Sequence, residues 1–317
     1  MKIASKPIYF SKIFKYLFLV IASAFFLLPI FLLLNTSLKS YEDVALATMW
    51  NLPRDIGFDS FTQAWLGSIT GGFRGLRENF MNSLYLTIPA AVFSAFIGSI
   101  NGYIFSKWKF KGSNIIFILL LFGMFIPYQS VLIPLVQSLQ LLSRFTNPIM
   151  AGINSLNFPG FLSGLPALLS QFVPGYGTIG GLILVHIIYG IPIATLVFKN
   201  YYTEIPTDLV EAGMMDGAGI LGIYRHILFP ISIPGFVVVL IWQFTSIWND
   251  FLFGVIITPN PRVQPVTVAL NNLAGSYIVE WNVQMAGSLI AAVPTMVIFI
   301  FLSRFFLRGL MAGSMKG

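Results

Sequence analysis

The sequence has no cysteine and very little charge. Of its 317 residues, 9% are charged and 56% are hydrophobic, and the mean hydropathy is +0.83. The absence of cysteine excludes disulfides, thiolate metal sites and cysteine nucleophiles. Because soluble domains carry about 25% charged residues, this composition excludes an ordinary soluble protein.

Two functional motifs are also missing. There is no Gly-x4-Gly-Lys-Ser/Thr phosphate loop, which argues against a P-loop nucleotide site in this chain. The formal net charge is +7, but no basic stripe interleaved with aromatic residues accompanies it, which argues against a nucleic-acid partner. No histidines and acids have the spacing of metal ligands, and we predict neither a metal nor a cofactor in this chain.

Six long apolar runs dominate what is present. Each is long enough to cross a bilayer, since about 20 apolar residues in a helix span the hydrocarbon core. The first run is too long for the core of a cleaved signal peptide, so we predict an uncleaved span. The sequence therefore predicts an all-α polytopic membrane protein with six transmembrane helices, at residues 14–34, 80–105, 114–141, 179–198, 235–257 and 283–303.

The distribution of lysine and arginine predicts the orientation of these spans. Six spans place both termini on one side, which holds 12 of the 18 basic residues, whereas the other side has 6 that are offset by acids. Basic residues favour the cytoplasmic side, so both termini are predicted there. We therefore predict a single transmembrane domain over residues 1–317, with a first external loop at 35–79, an external insertion at 143–178 and a cytoplasmic loop at 199–235.

The cytoplasmic loop contains the longest polar interruption in the second half of the chain. Residues 204–219 include four acids, and Pro206 suits the first turn of a helix that Gly217 would end. A second short helix is predicted over residues 220–229. The first helix would present a small apolar face formed by Leu209, Ala212 and Gly213. Such a segment either binds a soluble partner or lies along the membrane as an amphipathic interfacial helix.

Asp250 is the one acid predicted inside a span. An ionisable residue at that depth is a functional candidate, and with Trp248 and Asn249 it would suit contact with a polyhydroxylated solute. The alternative is a helix-end acid that accepts hydrogen bonds from the neighbouring backbone. His186 lies in the fourth predicted span, where we interpret it as a helix-packing residue.

The cytoplasmic segment contains Glu211-Ala-Gly-Met-Met-Asp-Gly-Ala-Gly219, followed by Ile227-Leu-Phe-Pro230. This pattern resembles the "EAA" loop of ABC importer permeases, with Gly213 in place of the usual alanine. The tail Arg308-Gly-Leu-Met-Ala-Gly-Ser-Met-Lys-Gly317 is similar to that of the maltose-type second permease subunit, in the carbohydrate-uptake family. The resemblance covers nearly the whole chain apart from the insertion at 143–178, which that subunit mostly lacks.

This resemblance implies a type I ABC importer permease fold and a set of partners. The partners are a second homologous permease subunit, two cytoplasmic ATPase subunits, an external solute-binding protein, a sugar substrate and membrane lipids. The chain would be a multi-pass protein of a bacterial or archaeal cytoplasmic membrane and would not itself be an enzyme. The resemblance implies that the ATPase is contacted by a coupling helix, at Glu211, Ala212, Gly213, Asp216, Gly217 and Ala218.

The resemblance also bears on the substrate. Runs such as Ile188-Tyr-Gly-Ile-Pro192 are similar to glucose/mannose-type permeases, which favours a monosaccharide of that type. The same machinery for a disaccharide, an oligosaccharide or a polyol is the alternative. A stand-alone secondary transporter is the alternative from another class; it requires intramembrane charge pairs or an internal repeat, and Asp250 is the one such charge in the sequence. An intramembrane enzyme would require a nucleophile–base pair or a metal cluster, and the spans show neither.

Overall fold

A computed structural model describes residues 7–67, 73–156, 159–274 and 280–314. Residues 315–317, at the end of the C-terminal tail, lie outside them. So do residues 68–72 of the predicted first external loop and residues 157–158 of the predicted insertion. The described residues form fourteen α-helices: α1 (Pro7–Ser37), α2 (Asp59–Leu66), α3 (Arg77–Lys107), α4 (Ser113–Phe122), α5 (Tyr128–Asn154), α6 (Leu165–Gln171), α7 (Ile179–Thr203), α8 (Thr207–Met215), α9 (Ile220–Ile223), α10 (Phe229–Ile231), α11 (Ile233–Trp248), α12 (Leu252–Ile257), α13 (Val266–Ala274) and α14 (Trp281–Ser314).

The long apolar helices correspond to the six apolar runs. Within the described residues, four helices are long and apolar enough to cross a membrane unbroken: Lys12–Ser37, Arg77–Lys107, Ile179–Thr203 and Trp281–Leu302. Two further pairs are bent, by 102° where Ser113–Phe125 meets Tyr128–Asn154 and by 77° where Ile220–Ile231 meets Ile233–Trp248. The count is six if each bent pair forms one crossing. The prediction of an all-α membrane protein is confirmed.

Two predicted boundaries differ from the structure. The span at 235–257 is not continuous, because α11 ends at Trp248 and α12 begins at Leu252. The insertion at 143–178 does not begin at 143, because α5 continues through Pro148 to Asn154. The bend in the third apolar run lies at Pro127, which precedes α5 with an extended ψ of 130°. Here a proline marks the helix boundary, as its ring geometry favours.

The chain divides into two compact units, Met1–Arg77 with Leu270–Ala292, and Glu78–Ala269 with Val293–Gly317. In the first unit, α2 buries Ala64 against Val283 and Ala286 of α14. Lys39 is buried there as well, and its Nζ donates to the carbonyl oxygens of Thr48 at 2.8 Å and Met49 at 3.3 Å. Burial lowers the pKa of Lys39, an effect that nearby Asp43 partly opposes.

In the second unit, α3 and α7 approach each other closely at two glycines. A Cβ at Gly102 would lie 2.7 Å from the backbone nitrogen of Lys199, and one at Gly98 would overlap Ala194. Gly98 and Gly102 form a Gly-x-x-x-Gly pair, the spacing that places small residues on one helix face and lets membrane helices pack backbone to backbone. The sequence contains this signal, but its partner helix is not evident from the sequence.

Two asparagines of α3 hold the loop that follows α12. The side-chain amide of Asn79 donates to the carbonyl oxygens of Pro261 at 2.9 Å and Gln264 at 2.8 Å. That of Asn82, one turn along the helix, donates to Arg262 at 2.7 Å and again to Gln264 at 3.2 Å. Both asparagines and Gln264 are buried, so these bonds satisfy side-chain amides and a Gln264 carbonyl that water reaches poorly.

Candidate functional site

The acidic segment, residues 204–229, begins with a helix that ends in a glycine turn. Helix α8 begins directly after Pro206 and has Asp208 in its first turn, where the helix dipole favours an acid. At its end, the amide of Gly217 donates to Met214 O at 3.0 Å and that of Ala218 to Gly213 O at 2.9 Å. These two bonds, with a φ of +81° at Gly217, form a Schellman motif. The predicted stop at Gly217 is therefore confirmed.

Helix α8 packs on the protein through two of its residues. Val210 and Gly213 are buried, whereas Leu209 and Ala212 are exposed, so of the three residues of the predicted apolar face only Gly213 is covered by this chain itself. A Cβ on Gly213 would lie 2.9 Å from Ile227 Cδ1 and 3.2 Å from Ile223 Cγ1. The turn at Gly217 folds the second short helix back onto this glycine, and that contact sets which face is covered.

Most of the predicted coupling residues are exposed. Glu211, Ala212, Asp216 and Gly217 are accessible, Ala218 is half-buried against the core of this unit, and Gly213 is buried. Two large apolar side chains that the sequence interpretation did not select also lie open, with Met215 86% and Leu221 74% exposed. Exposed apolar groups beside acids are typical of a binding surface.

The second half of the segment contains a π-helical turn. The predicted helix at 220–229 is present as α9 and α10, but residues Tyr224–Leu228 between them form π-type hydrogen bonds. Such turns contain an extra residue and occur often at functional sites. This turn directs Tyr224 towards α3, where its hydroxyl donates to Ser99 Oγ at 3.0 Å.

Three further buried hydroxyls continue from Tyr224 in a chain of hydrogen bonds. Ser99 Oγ and the Tyr202 hydroxyl are 2.6 Å apart, and Tyr202 donates to Ser232 Oγ at 3.0 Å. Since Tyr202 uses its proton on Ser232, Ser99 is the donor in the first pair. Ser232 in turn donates to Phe229 O at 3.0 Å. We call Tyr224, Ser99, Tyr202 and Ser232 the hydroxyl chain; it connects the acidic segment to α3, α7 and the start of α11.

A cavity of about 500 Å³ lies within the second unit, bordered by α4, α5, α7, α11 and α12. Its polar and ionisable lining consists of Tyr128, His186, Tyr189, Gln243, Ser246 and Asp250. Trp242 also lines it and is largely exposed. No lysine or arginine is among the described residues of the lining. The size suits a small-molecule ligand, for which pockets of about 300–1,000 Å³ are usual.

Asp250 lies at this cavity, in the break between α11 and α12. Its carboxylate accepts hydrogen bonds from the amides of Gly254 at 3.0 Å and Phe253 at 3.4 Å, so it caps α12. His186 Nε2 lies 3.5 Å from Asp250 Oδ2, and the two side chains are only 8% and 13% exposed. Asp250 is therefore both the helix-end acid of the alternative interpretation and a cavity residue. The pair was missed because His186 is 64 positions away in the sequence.

The other two predicted substrate-path residues do not line the cavity. Trp248 is buried, with its ring parallel to Phe244 at a centroid distance of 5.7 Å and edge-on to Phe80 at 5.3 Å. Asn249 is exposed and donates to Thr245 O at 2.8 Å. The aromatic residues at the cavity are instead Tyr128, Tyr189 and Phe253, whose rings contact each other at 5.1–5.5 Å. In the described residues no three metal-ligating side chains come together.

Membrane-crossing helices beside a polar cavity, with an acidic segment at the helix ends, define a multi-pass membrane transport protein. The family described as "Binding-protein-dependent transport system inner membrane component" matches residues 87–311, and the chain belongs to that family. It is thus a permease subunit of an ABC transporter in the inner membrane and not an enzyme. The resemblance to ABC importer permeases of the carbohydrate-uptake family is confirmed.

Relatives match the chain over nearly its full length. A probable ABC transporter permease protein of Pyrococcus horikoshii is 41% identical, over 95% of this chain and 96% of the relative. The xylose/arabinose import permease protein of Haloferax volcanii is 34% identical, over 94% and 92%. The glucose import system permease protein of Saccharolobus solfataricus is 29% identical, over 95% and 94%.

Solved structures agree on the fold. A chain of a bacterial ABC transporter for the import of alginate, an acidic polysaccharide, superposes with a TM-score of 0.70 at 18% identity. The superposition covers 96% of this chain and all of that one. A second structure shows a bacterial alginate ABC transporter in complex with an alginate pentasaccharide-bound periplasmic protein. It superposes with a TM-score of 0.54 and covers 80% of this chain and 83% of that one. The predicted ABC importer permease fold is confirmed.

Proposed function

We propose that this chain forms half of the translocation pathway of an ATP-driven sugar importer and that its substrate is a monosaccharide of the glucose/mannose type. Relatives that cover more than 90% of the chain are named for import of xylose/arabinose, glucose and arabinooligosaccharides, which supports a sugar. A 31% identical permease of Synechocystis is named for osmoprotective compounds. An oligosaccharide or a polyol therefore remains the alternative substrate for the same machinery.

The accessible surface of α8 supports a coupling role for the acidic segment, and it is the observation that carries the proposal. Glu211 and Asp216 are exposed on the same short segment as the exposed Met215 and Leu221, so a partner with a basic, partly apolar cleft would fit. Behind this surface, Gly213 packs on Ile223 and Ile227, and the hydroxyl chain connects the segment to α3 and α7. A force applied at Glu211 would therefore reach two long helices.

The proposed assembly contains this chain, a second related permease, two cytoplasmic ATPase subunits and an external solute-binding protein. The family description names a binding-protein-dependent system, and one structural neighbour is a complex with a loaded periplasmic protein. The chain has no phosphate loop, so ATP binding would occur in the ATPase pair. Closure of that pair would move the coupling helices together and change the spans from inward-open to outward-open. We also propose that the predicted insertion at 143–178 helps to seat the binding protein.

Reconstitution of the complete transporter tests the coupling role. In proteoliposomes with ATP and the binding protein, Glu211→Ala should lower sugar uptake by about tenfold or more, which corresponds to 1.4 kcal/mol at least. The affinity of the binding protein for its sugar should not change. Asp208→Asn, on the same helix but outside the motif, is the matched control and should retain uptake. Full uptake by Glu211→Ala would remove the coupling role.

A second experiment separates the importer from a secondary transporter. A secondary transporter would also have a buried pair such as His186–Asp250, so this pair does not distinguish it from an importer subunit. The purified chain alone, in liposomes, should not move radiolabelled glucose or mannose with or without an ion gradient. Sugar flux driven by an ion gradient in the absence of an ATPase would contradict the importer proposal.

A further inference from the structure

The cavity in the second unit has an unusual charge pattern for a sugar-sized site. Among its described lining residues Asp250 is the one acid, and there is no lysine or arginine that would neutralise an anionic ligand. The imidazole of His186, the amide of Gln243 and the hydroxyls of Tyr128, Tyr189 and Ser246 complete the polar lining, and the remaining walls are apolar or aromatic. An anion placed there would meet the Asp250 carboxylate, whose side chain is only 13% exposed, so water would screen the repulsion between the two negative charges weakly.

The carboxylate of Asp250 keeps capacity to accept further hydrogen bonds. An ionised carboxylate has about four lone-pair sites. Two backbone amides, of Phe253 and Gly254, occupy part of that capacity, and His186 faces one oxygen at 3.5 Å. Because these contacts fix its position, the carboxylate is preorganised to accept from a ligand hydroxyl. Hydrogen bonds to a charged acceptor are worth about 1.5–3 kcal/mol, more than those between neutral groups.

The aromatic residues provide the other half of a sugar site. Tyr128, Tyr189 and Phe253 form one contacting cluster, and Trp242 lines the same cavity. Sugar rings have apolar C–H faces that pack on aromatic rings and hydroxyl edges that need acceptors. A carboxylate, hydroxyls and aromatic rings around one cavity meet both requirements.

We propose that this cavity is a sugar-binding subsite within this subunit and that Asp250 makes it selective for neutral sugars over uronates. The proposal rests on the sugar-import function proposed above. It locates a ligand contact in the chain itself rather than only in the binding protein or the second permease. It also separates this chain from its structural neighbour, whose substrate, alginate, is an acidic polysaccharide.

Equilibrium binding to the complete transporter in lipid nanodiscs, without the binding protein, tests the proposal. The probes are D-glucose, D-mannose, D-xylose, L-arabinose and maltose, with D-glucuronate as the acid that differs from glucose only at C6. Titration is followed by intrinsic tryptophan fluorescence, and the sugar-dependent change should be lost in Trp242→Phe. At least one neutral sugar should bind, and glucuronate should bind about tenfold more weakly than glucose or not at all.

Asp250→Asn distinguishes selectivity from a structural effect. Asparagine keeps an oxygen that caps α12 but removes the charge, so the protein should fold. Affinity for the neutral sugar should fall by about tenfold, and the ratio of glucose affinity to glucuronate affinity should decrease. A purely structural role of Asp250 would not change the ratio of the two affinities. Asp55→Asn, which removes the same charge from an exposed position, is the control and should change neither value.

The outcomes separate this proposal from the function on which it rests. If no neutral sugar binds while the wild-type transporter retains ATP-driven uptake, the subsite is refuted and the importer stands. Unchanged selectivity in Asp250→Asn, or a full fluorescence response in Trp242→Phe, would also overturn the subsite. If the wild type shows no ATP-driven uptake of any of these sugars, the proposed function itself fails.

Discussion

Ser99 Oγ and the Tyr202 hydroxyl are 2.6 Å apart in the buried space where α3 meets α7. Ser99 accepts from Tyr224 and donates to Tyr202, and Tyr202 donates to Ser232. The two residues therefore lie in the middle of a chain in which each hydroxyl proton has one acceptor. Buried networks that are fully satisfied in this way hold elements in a unique arrangement, and they are costly to interrupt.

Removal of the Tyr202 hydroxyl should destabilise the permease. Tyr202→Phe leaves the buried Ser99 without its acceptor and Ser232 without its donor, and one unsatisfied buried group costs about 1–3 kcal/mol. The apparent Tm of the purified protein in detergent measures the effect. Tyr201→Phe is the matched control, because Tyr201 donates to Ile231 O at 2.9 Å at an exposed position. Equal losses in the two variants would contradict the importance of burial.

The contact between α3 and α7 should not tolerate an added methyl group. Gly98→Ala would place a Cβ against Ala194 and 2.9 Å from the backbone nitrogen of Thr195, and backbone cannot rotate away as a flexible side chain can. Overpacking of this kind costs about 1–3 kcal/mol. Thermal unfolding should show the loss for Gly98→Ala. Gly123→Ala, with no atom near its added Cβ, should unfold at or above the wild-type temperature.

The turn after α8 should depend on backbone conformation and not on space. Neither Gly217 nor Gly219 has an atom within 4 Å of an added Cβ, but Gly217 alone has a positive φ, of +81° against −75°. A left-handed conformation costs about 1–2 kcal/mol for a residue with a Cβ. Gly217→Ala should therefore lower ATP-driven uptake and the apparent Tm, whereas Gly219→Ala should change neither. Similar behaviour of the two variants would rule out this explanation.

The sequence predicted the elements whose signals are local. Apolar runs such as 80–105 and 179–198 predict spans because a helix of about 20 consecutive apolar residues is stable in the hydrocarbon core of a bilayer, whatever the rest of the chain does. Likewise Pro206 and Gly217 determine the limits of α8 through their own backbone preferences. These boundaries need no knowledge of the rest of the fold.

What the sequence did not predict depends on partners far along the chain. The break after Trp248 lies in an apolar run, and it is stabilised by the Asp250 cap and by the bond from Thr267 Oγ1 to Asp250 O at 2.5 Å. The His186–Asp250 pair and the Ser99–Tyr202 bond join residues 64 and 103 positions apart. Ser99 and His186 are each unremarkable in their own helices. Only packing brings their polar atoms together.

The hydrogen bonds from Asn79 and Asn82 to the loop after α12 determine which positions there tolerate substitution during evolution. The two amides grip carbonyl oxygens of residues 261, 262 and 264, and a carbonyl is the same whatever side chain accompanies it. Substitutions at positions 261 and 262 therefore keep these hydrogen bonds, whereas a substitution at either asparagine removes the donor to two backbone carbonyls at once. We expect homologous chains to vary at positions 261 and 262 and to keep both asparagines.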